Sequence, residues 1–187
     1  LFPYTTLVRS DDFVPSHSAH CLDNLQAAGA YVQGKTVTAE FATRHPGPTT
    51  NPWNFEYTPG GSSSGSAAAV AADFTAGAIG TQTVGSIIRP AAYCGIVGYK
   101  PSFGLVSRFG VHQVSQTLDQ VGVLTRTLDD AALLASSIIG ADSRDRATLP
   151  GFSEDLTVRD KYRDPPRLAA VRSPSWQLAD ENQRARV

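Results

Sequence analysis

The stretch Gly60-Gly61-Ser62-Ser63-Ser64-Gly65-Ser66 runs without a break into residues 67–74, where alanines and Val70 leave almost no polar side chain before Asp73. A helix that is apolar nearly all round has no face to turn to water, so other elements must cover it. Taken alone, the Gly/Ser run has the composition of a flexible linker. Opening directly onto a buried helix, it reads instead as a structured loop. Ahead of it, residues 43–61 hold Pro46, Pro48, Pro52 and Pro59, which exclude a regular element and leave a long loop crossing the surface.

The remaining patterns alternate between short strands and helices. Ser18 is placed as the N-cap of a short helix with Leu22 and Leu25 on one face, and Gly29 stands where a left-handed residue would end it. Residues 30–33 and 76–81 predict strands, the polar segment 82–86 a turn, Pro90 the first residue of another helix, and 96–99 a further strand. Thr127-Leu128-Asp129-Asp130 has the form of a capping box with Asp in the usual Glu place, followed by a helical stretch to Ile139 and a stop at Gly140. Residues 140–163 read as a polar linker, 167–171 as a strand and 181–187 as a helix just beginning. The fold class expected is α/β, without internal repeats. With 187 residues, 41% hydrophobic and 18% charged, plus 16 Gly and 12 Pro, the chain has room for one ordinary domain and too many turns for a coiled coil or helical bundle.

Charge and composition exclude several functions. Sixteen basic against seventeen acidic side chains give a net charge of −1, so no field drives nonspecific binding to nucleic acid or an anionic membrane. The longest apolar run, 67–72, falls well short of the roughly 18 residues a membrane span needs. Residues 1–10 lack the basic leader and cleavage site of a secretory signal, so the expected location is cytoplasmic. Cys21 and Cys94 form no C-x-x-C spacing and no disulfide framework, and both read as reduced, structural residues. His17 and His20 lie three apart in a polar stretch while His45 and His112 stand alone, so neither a metal nor a cofactor is expected.

Serine is the reactive type that stands out, at 62–66 and at Ser86, each in a Gly-rich turn against a helix. Backbone amides in such a turn converge on one point and can hold an oxyanion. A phosphate-cradling loop would need Lys after its last Gly, where Ser66 stands. Gly61-x-Ser63-x-Gly65 also fits a nucleophile elbow with His112 as partner, although that motif follows a buried strand and this one follows the Pro-rich loop.

Several segments agree on a third reading. Residues 60–71, the turn Gly80-Thr81-Gln82-Thr83-Val84-Gly85-Ser86, and Pro90-Ala91-Ala92-Tyr93-Cys94-Gly95 through Gly98-Tyr99-Lys100-Pro101 closely resemble the amidase signature family. Ala27-Ala28-Gly29-Ala30, Gly34-Lys35-Thr36, Glu40-Phe41-Ala42, Asn51-Pro52-Trp53-Asn54 and Leu118-Asp119 to Asp130 extend the likeness. It implies a mixed β-sheet core flanked by α-helices, only partly covered by this chain, and a Ser–cis-Ser–Lys triad that cleaves amides. By that resemblance Ser86 is the nucleophile and Ser62 the bridging serine after a cis bond from Gly61. The amides of Thr83, Val84, Gly85 and Ser86 form the oxyanion hole, with Ser63 and Arg89 supporting from behind.

The resemblance also implies what lies outside the sequence. The family's catalytic lysine would precede Leu1, and Lys35 and Lys100 match positions that look structural, Lys161 being the third lysine. The expectation is an incomplete amidase-signature domain over 14–187, itself inactive, behind a non-matching leader at 1–13. Gln82 stands where many members carry Asp, Val84 where many carry Gly, and Arg89 directly before Pro90 instead of one place earlier. The expected activity of the full-length parent is hydrolysis of a small-molecule carboxylic amide to acid and ammonia or amine. The alternatives are the amidase-like component of a glutaminyl- or asparaginyl-tRNA amidotransferase, and a noncatalytic scaffold. Expected partners are a second copy in a homodimer, or other subunits in the amidotransferase case, with no direct contact to nucleic acid or membrane.

Overall fold

A computed structural model of the chain describes residues 15–43, 45–151, 156, 167, 169, 171–172 and 174–185. The leader at 1–13 lies outside them, as do residues 168 and 170 of the strand expected at 167–171 and much of the linker beyond 151. The elements are α1 (His20–Ala27), α2 (Ser64–Ala71), β1 (Gly77–Gln82), α3 (Ile88–Cys94), β2 (Val97–Tyr99), β3 (Gln120–Thr125), α4 (Leu128–Ile138) and α5 (Glu181–Arg184), with short 3-10 turns at Glu40–Ala42 and Pro174–Leu178.

The three strands form one sheet in the order β1-β3-β2, antiparallel at both pairings. Along β1, Gly77 lies opposite Thr125 and Gln82 opposite Gln120. Helices cover both faces. On one, Leu22 and Leu25 of α1 and Ala131, Ala135 and Ile138 of α4 pack with Ile79, Val121 and Val123. On the other, Ala67 and Val70 of α2 and Ala91 and Cys94 of α3 pack with Ala78, Ile87 and Leu124. This is the α/β layering expected, and the Ala-rich helix is buried as its composition demands.

Several expectations require correction. Residues 30–33 form no strand: they enter no sheet pairing, and Ala30 N donates instead to Leu25 O of α1 at 2.9 Å. Ser18 does not cap α1: Ala19 holds that position without a side-chain hydrogen bond, while Gly29 takes the expected left-handed conformation, φ +90°. Pro90 is the third residue of α3, because the helix starts earlier on amides that Gln82 satisfies. The central strand β3 has no counterpart in the expected elements. All six of its residues are buried, so it carries no polar alternation to announce it.

Residues 140–149 are packed structure rather than linker. Asp142 accepts a hydrogen bond from Ser107 Oγ at 2.8 Å and one from Arg144 Nε at 2.8 Å. Asp145 receives the backbone N–H of Arg108 at 2.8 Å and its guanidinium at 3.2 Å, and both side chains are buried. The capping position at Thr127 is occupied as expected, its Oγ1 accepting from Asp130 N at 3.1 Å. Asp130 does not reach back to the Thr127 amide; its carboxylate accepts from the Thr127 hydroxyl at 2.7 Å.

Candidate active site

The serines of the Gly/Ser run attach to the free side of β1. Thr81 N donates to Ser63 Oγ, which donates to Thr81 O, each at 3.3 Å. Ser66 Oγ donates to Ile79 O at 2.9 Å. Ser64 Oγ donates to Val37 O at 3.3 Å, and Gly65 N donates to the same carbonyl at 2.8 Å. A Cβ at Gly65 would collide with the backbone of Val37, so this approach requires glycine. The run is therefore fixed structure and not a linker. The elbow reading fails as well: Ser63 is buried and engaged with β1, while His112 is exposed.

The Gly61–Ser62 peptide bond is cis. Arg89 donates from Nε at 2.8 Å and from Nη2 at 2.6 Å to Gly61 O. Ser62 O accepts from Ala39 N at 2.9 Å and Ser64 N at 2.8 Å. Ser63 N donates to Ser86 O at 3.3 Å and so joins this loop to the second turn. The displacement of Arg89 toward Pro90 thus leaves it gripping the carbonyl ahead of Ser62.

Gln82 organises the second turn. Its Oε1 accepts from Ile87 N at 2.8 Å and Ile88 N at 3.0 Å, and its Nε2 donates to Val84 O at 3.1 Å. Thr83 Oγ1 donates to Asp119 Oδ1 at 2.5 Å, and Asp119 Oδ2 accepts from Val114 N and Ser115 N. Among the described residues, the amides of Val84, Gly85 and Ser86 have no hydrogen-bond acceptor, and the hydroxyls of Ser62 and Ser86 have no partner. Ser62 and Ser86 are themselves largely buried, while Val84 is 86% exposed at the tip of the turn.

A turn with unpaired amides beside a serine, and a second serine on a loop bonded to it, is an arrangement suited to acyl transfer. A family model described as Amidase matches residues 7–187. The chain belongs to the amidase signature family. Its matched range begins inside the segment expected as a leader. The chain is 42% identical over 189 residues to a subunit of the glutamyl-tRNA(Gln) amidotransferase of Syntrophobacter fumaroxidans, covering 94% of this chain and 38% of that protein. In structure it resembles native peptide amidase from Stenotrophomonas maltophilia, with TM-score 0.72, 43% identity and coverage of 75% of this chain and 31% of that one. It also resembles the corresponding glutamyl-tRNA(Gln) amidotransferase subunit from Thermotoga maritima, with TM-score 0.71, 42% identity and coverage of 74% and 32%. The chain thus spans about a third of the length of these relatives.

Other groups fall outside the candidate amidase site. Lys100 Nζ donates to Pro101 O, and Lys35 lines a groove of about 430 Å³ along β1, α1 and α4 that none of the candidate residues touches. Burial pushes the Cys94 thiol up to about 11 and the Cys21 thiol up to about 12, so both are inert apolar fillers. No cluster of metal-ligating side chains exists among the described residues, and no helix there is long and apolar enough to cross a membrane. Residue types alone point to no role for Asp119, because nothing in its neighbourhood along the chain separates it from solvent-facing aspartates such as Asp129.

Proposed function

We propose that the full-length protein hydrolyses a carboxylic amide to acid and ammonia or amine through an acyl-enzyme on Ser86. The observation that carries this reading is the Ser86 turn with its unpaired amides, bonded through Ser63 N to the loop that presents Ser62. Ser86 Oγ forms the new bond to the carbonyl carbon, and its proton passes to Ser62 Oγ as the Ser62 proton moves to a lysine. The family resemblance assigns that lysine to a segment ahead of Leu1; desolvation would keep it neutral and able to accept. The oxyanion receives hydrogen bonds from the amides at 83–86, each worth about 3 to 4 kcal/mol where it matters. Breaking the C–N bond returns a proton to the leaving nitrogen, and water then releases the acid from Ser86.

A second reading rests on the names of the curated relatives. In an amidotransferase, the protein would form the same acyl-enzyme and pass ammonia to an aminoacyl-tRNA held by partner subunits. One set of assays tests both readings on the full-length protein. Fluorophosphonate should label Ser86, and Ser86→Ala should abolish turnover; an adduct on Ser63 overturns the assignment. Cleavage of simple amides by the protein alone supports the hydrolase. Turnover that requires glutamine and partner subunits supports the amidotransferase.

A further inference from the structure

Gln120, the first residue of β3, is 1% exposed, and neither its Oε1 nor its Nε2 has a hydrogen-bond partner. Among the described residues, it is the one whose unpartnered side-chain polar atoms are themselves sealed from solvent. Leaving a buried amide unpaired destabilises a fold, and an apolar side chain of similar shape would avoid that cost. Its position suggests what the amide serves. The register sets Gln120 opposite Gln82, and strand alternation puts both on the face that carries α2 and α3, together with Leu124 and Ala78. Gln82 is the residue whose amide shapes the Ser86 turn. One hydrogen of Gln82 Nε2 goes to Val84 O, and the second is left for another acceptor.

We infer that Gln120 is a positioning residue: it holds a buried water that also accepts from Gln82 Nε2, and through Gln82 it fixes the turn that carries Ser86. A buried water needs several polar partners, and two facing amides with three uncommitted groups supply them. This inference rests on the reading of Ser86 as nucleophile, and its test has one arm independent of that reading.

In that arm, a high-resolution crystal structure of the full-length protein should show an ordered water bonded to both Gln120 and Gln82. A protein group on the Gln120 amide, or a dry contact, overturns the proposal. In the second arm, Gln120→Leu should lower kcat roughly tenfold or more while KM moves little, the signature of a misplaced reacting group. The loss should vanish when Gln82 is already Leu, since Gln120 acts through it. Wild-type kcat in Gln120→Leu, or a full loss on top of Gln82→Leu, overturns the proposal. Should Gln120→Leu fail to fold, Gln120→Glu replaces it. Its buried carboxyl keeps a donor only while protonated, so kcat should acquire a new fall with rising pH, and an unchanged profile overturns the inference. If Ser86→Ala retains turnover, the Ser86 reading fails and the water arm alone decides.

Discussion

The side-chain amide of Gln82 takes the place of an N-cap one turn away in sequence, accepting from the first two amides of the α3 region while its own N–H closes the turn onto Val84. Gln82→Leu would leave those amides without their acceptor, and a lost cap costs about 1 kcal/mol. Turnover should fall further than stability, because the same group sets the Ser86 backbone; urea titration and steady-state kinetics on the full-length protein compare the two. Ser62→Ala in that protein should slow acylation at least about a hundredfold, the scale of a positioned proton-transfer group, measured by the pre-steady-state burst. Wild-type burst rates would remove Ser62 from the relay. Asp142 carries a pH dependence of its own. Burial works against its charge, but hydrogen bonds from Arg144 and then Ser107 outweigh this and hold its carboxyl at about 2, below the ordinary 3.8. A depressed carboxyl contributes stability above its unfolded value and loses it as pH falls through the folded one. Asp142→Asn should therefore lower the urea midpoint at neutral pH and converge on the wild type as pH drops toward about 2.

The strand β3 joins the two halves of the core, since its alternate residues feed both packed faces. Gly122 is its narrowest point: a Cβ there would meet Tyr99 O, Ile87 Cδ1 and Pro101. Gly122→Ala should cost at least about 1 to 3 kcal/mol through overpacking, read as a lowered Tm by calorimetry. An unchanged Tm would mean that β2 can move away from β3. The long Pro-rich loop behaves as part of α3 for a comparable reason. Asn51 Nδ2 donates to Tyr93 O at 2.9 Å and Trp53 Nε1 donates to Cys94 O at 2.7 Å, so the loop satisfies carbonyls at the helix end that have no partner within the helix.

Across the molecule, the buried pair Arg108 and Asp145 locks the segment after α4 to the loop before β3. The guanidinium also donates to Gln116 O at 2.7 Å and lies over the Phe103 ring at 4.8 Å. Removing one partner strands a buried charge, so Asp145→Ala should destabilise by about 3 to 5 kcal/mol, measured by chemical unfolding of the full-length protein. A loss below about 1 kcal/mol would show the pair to be solvated in practice.

The family, the layered α/β class, the burial of the Ala-rich helix and the capped start of α4 are all legible along the chain. They follow from local composition and from long motifs, which need no knowledge of what lies opposite them. Other features exist only once the chain has packed. An unbroken apolar run such as 121–124 carries no period, so β3 became a strand only by pairing with β1 and β2. Residues 30–33 had strand-like composition and found no partner to pair with. Asp119, Asp142 and Asp145 look like loop aspartates until distant donors at Thr83, Ser107 and Arg108 close around them. Gln82 and Gln120 are ordinary glutamines apart; their meeting across an antiparallel register is a property of the sheet, because a hydrogen-bond partner is fixed by distance in space and not along the chain.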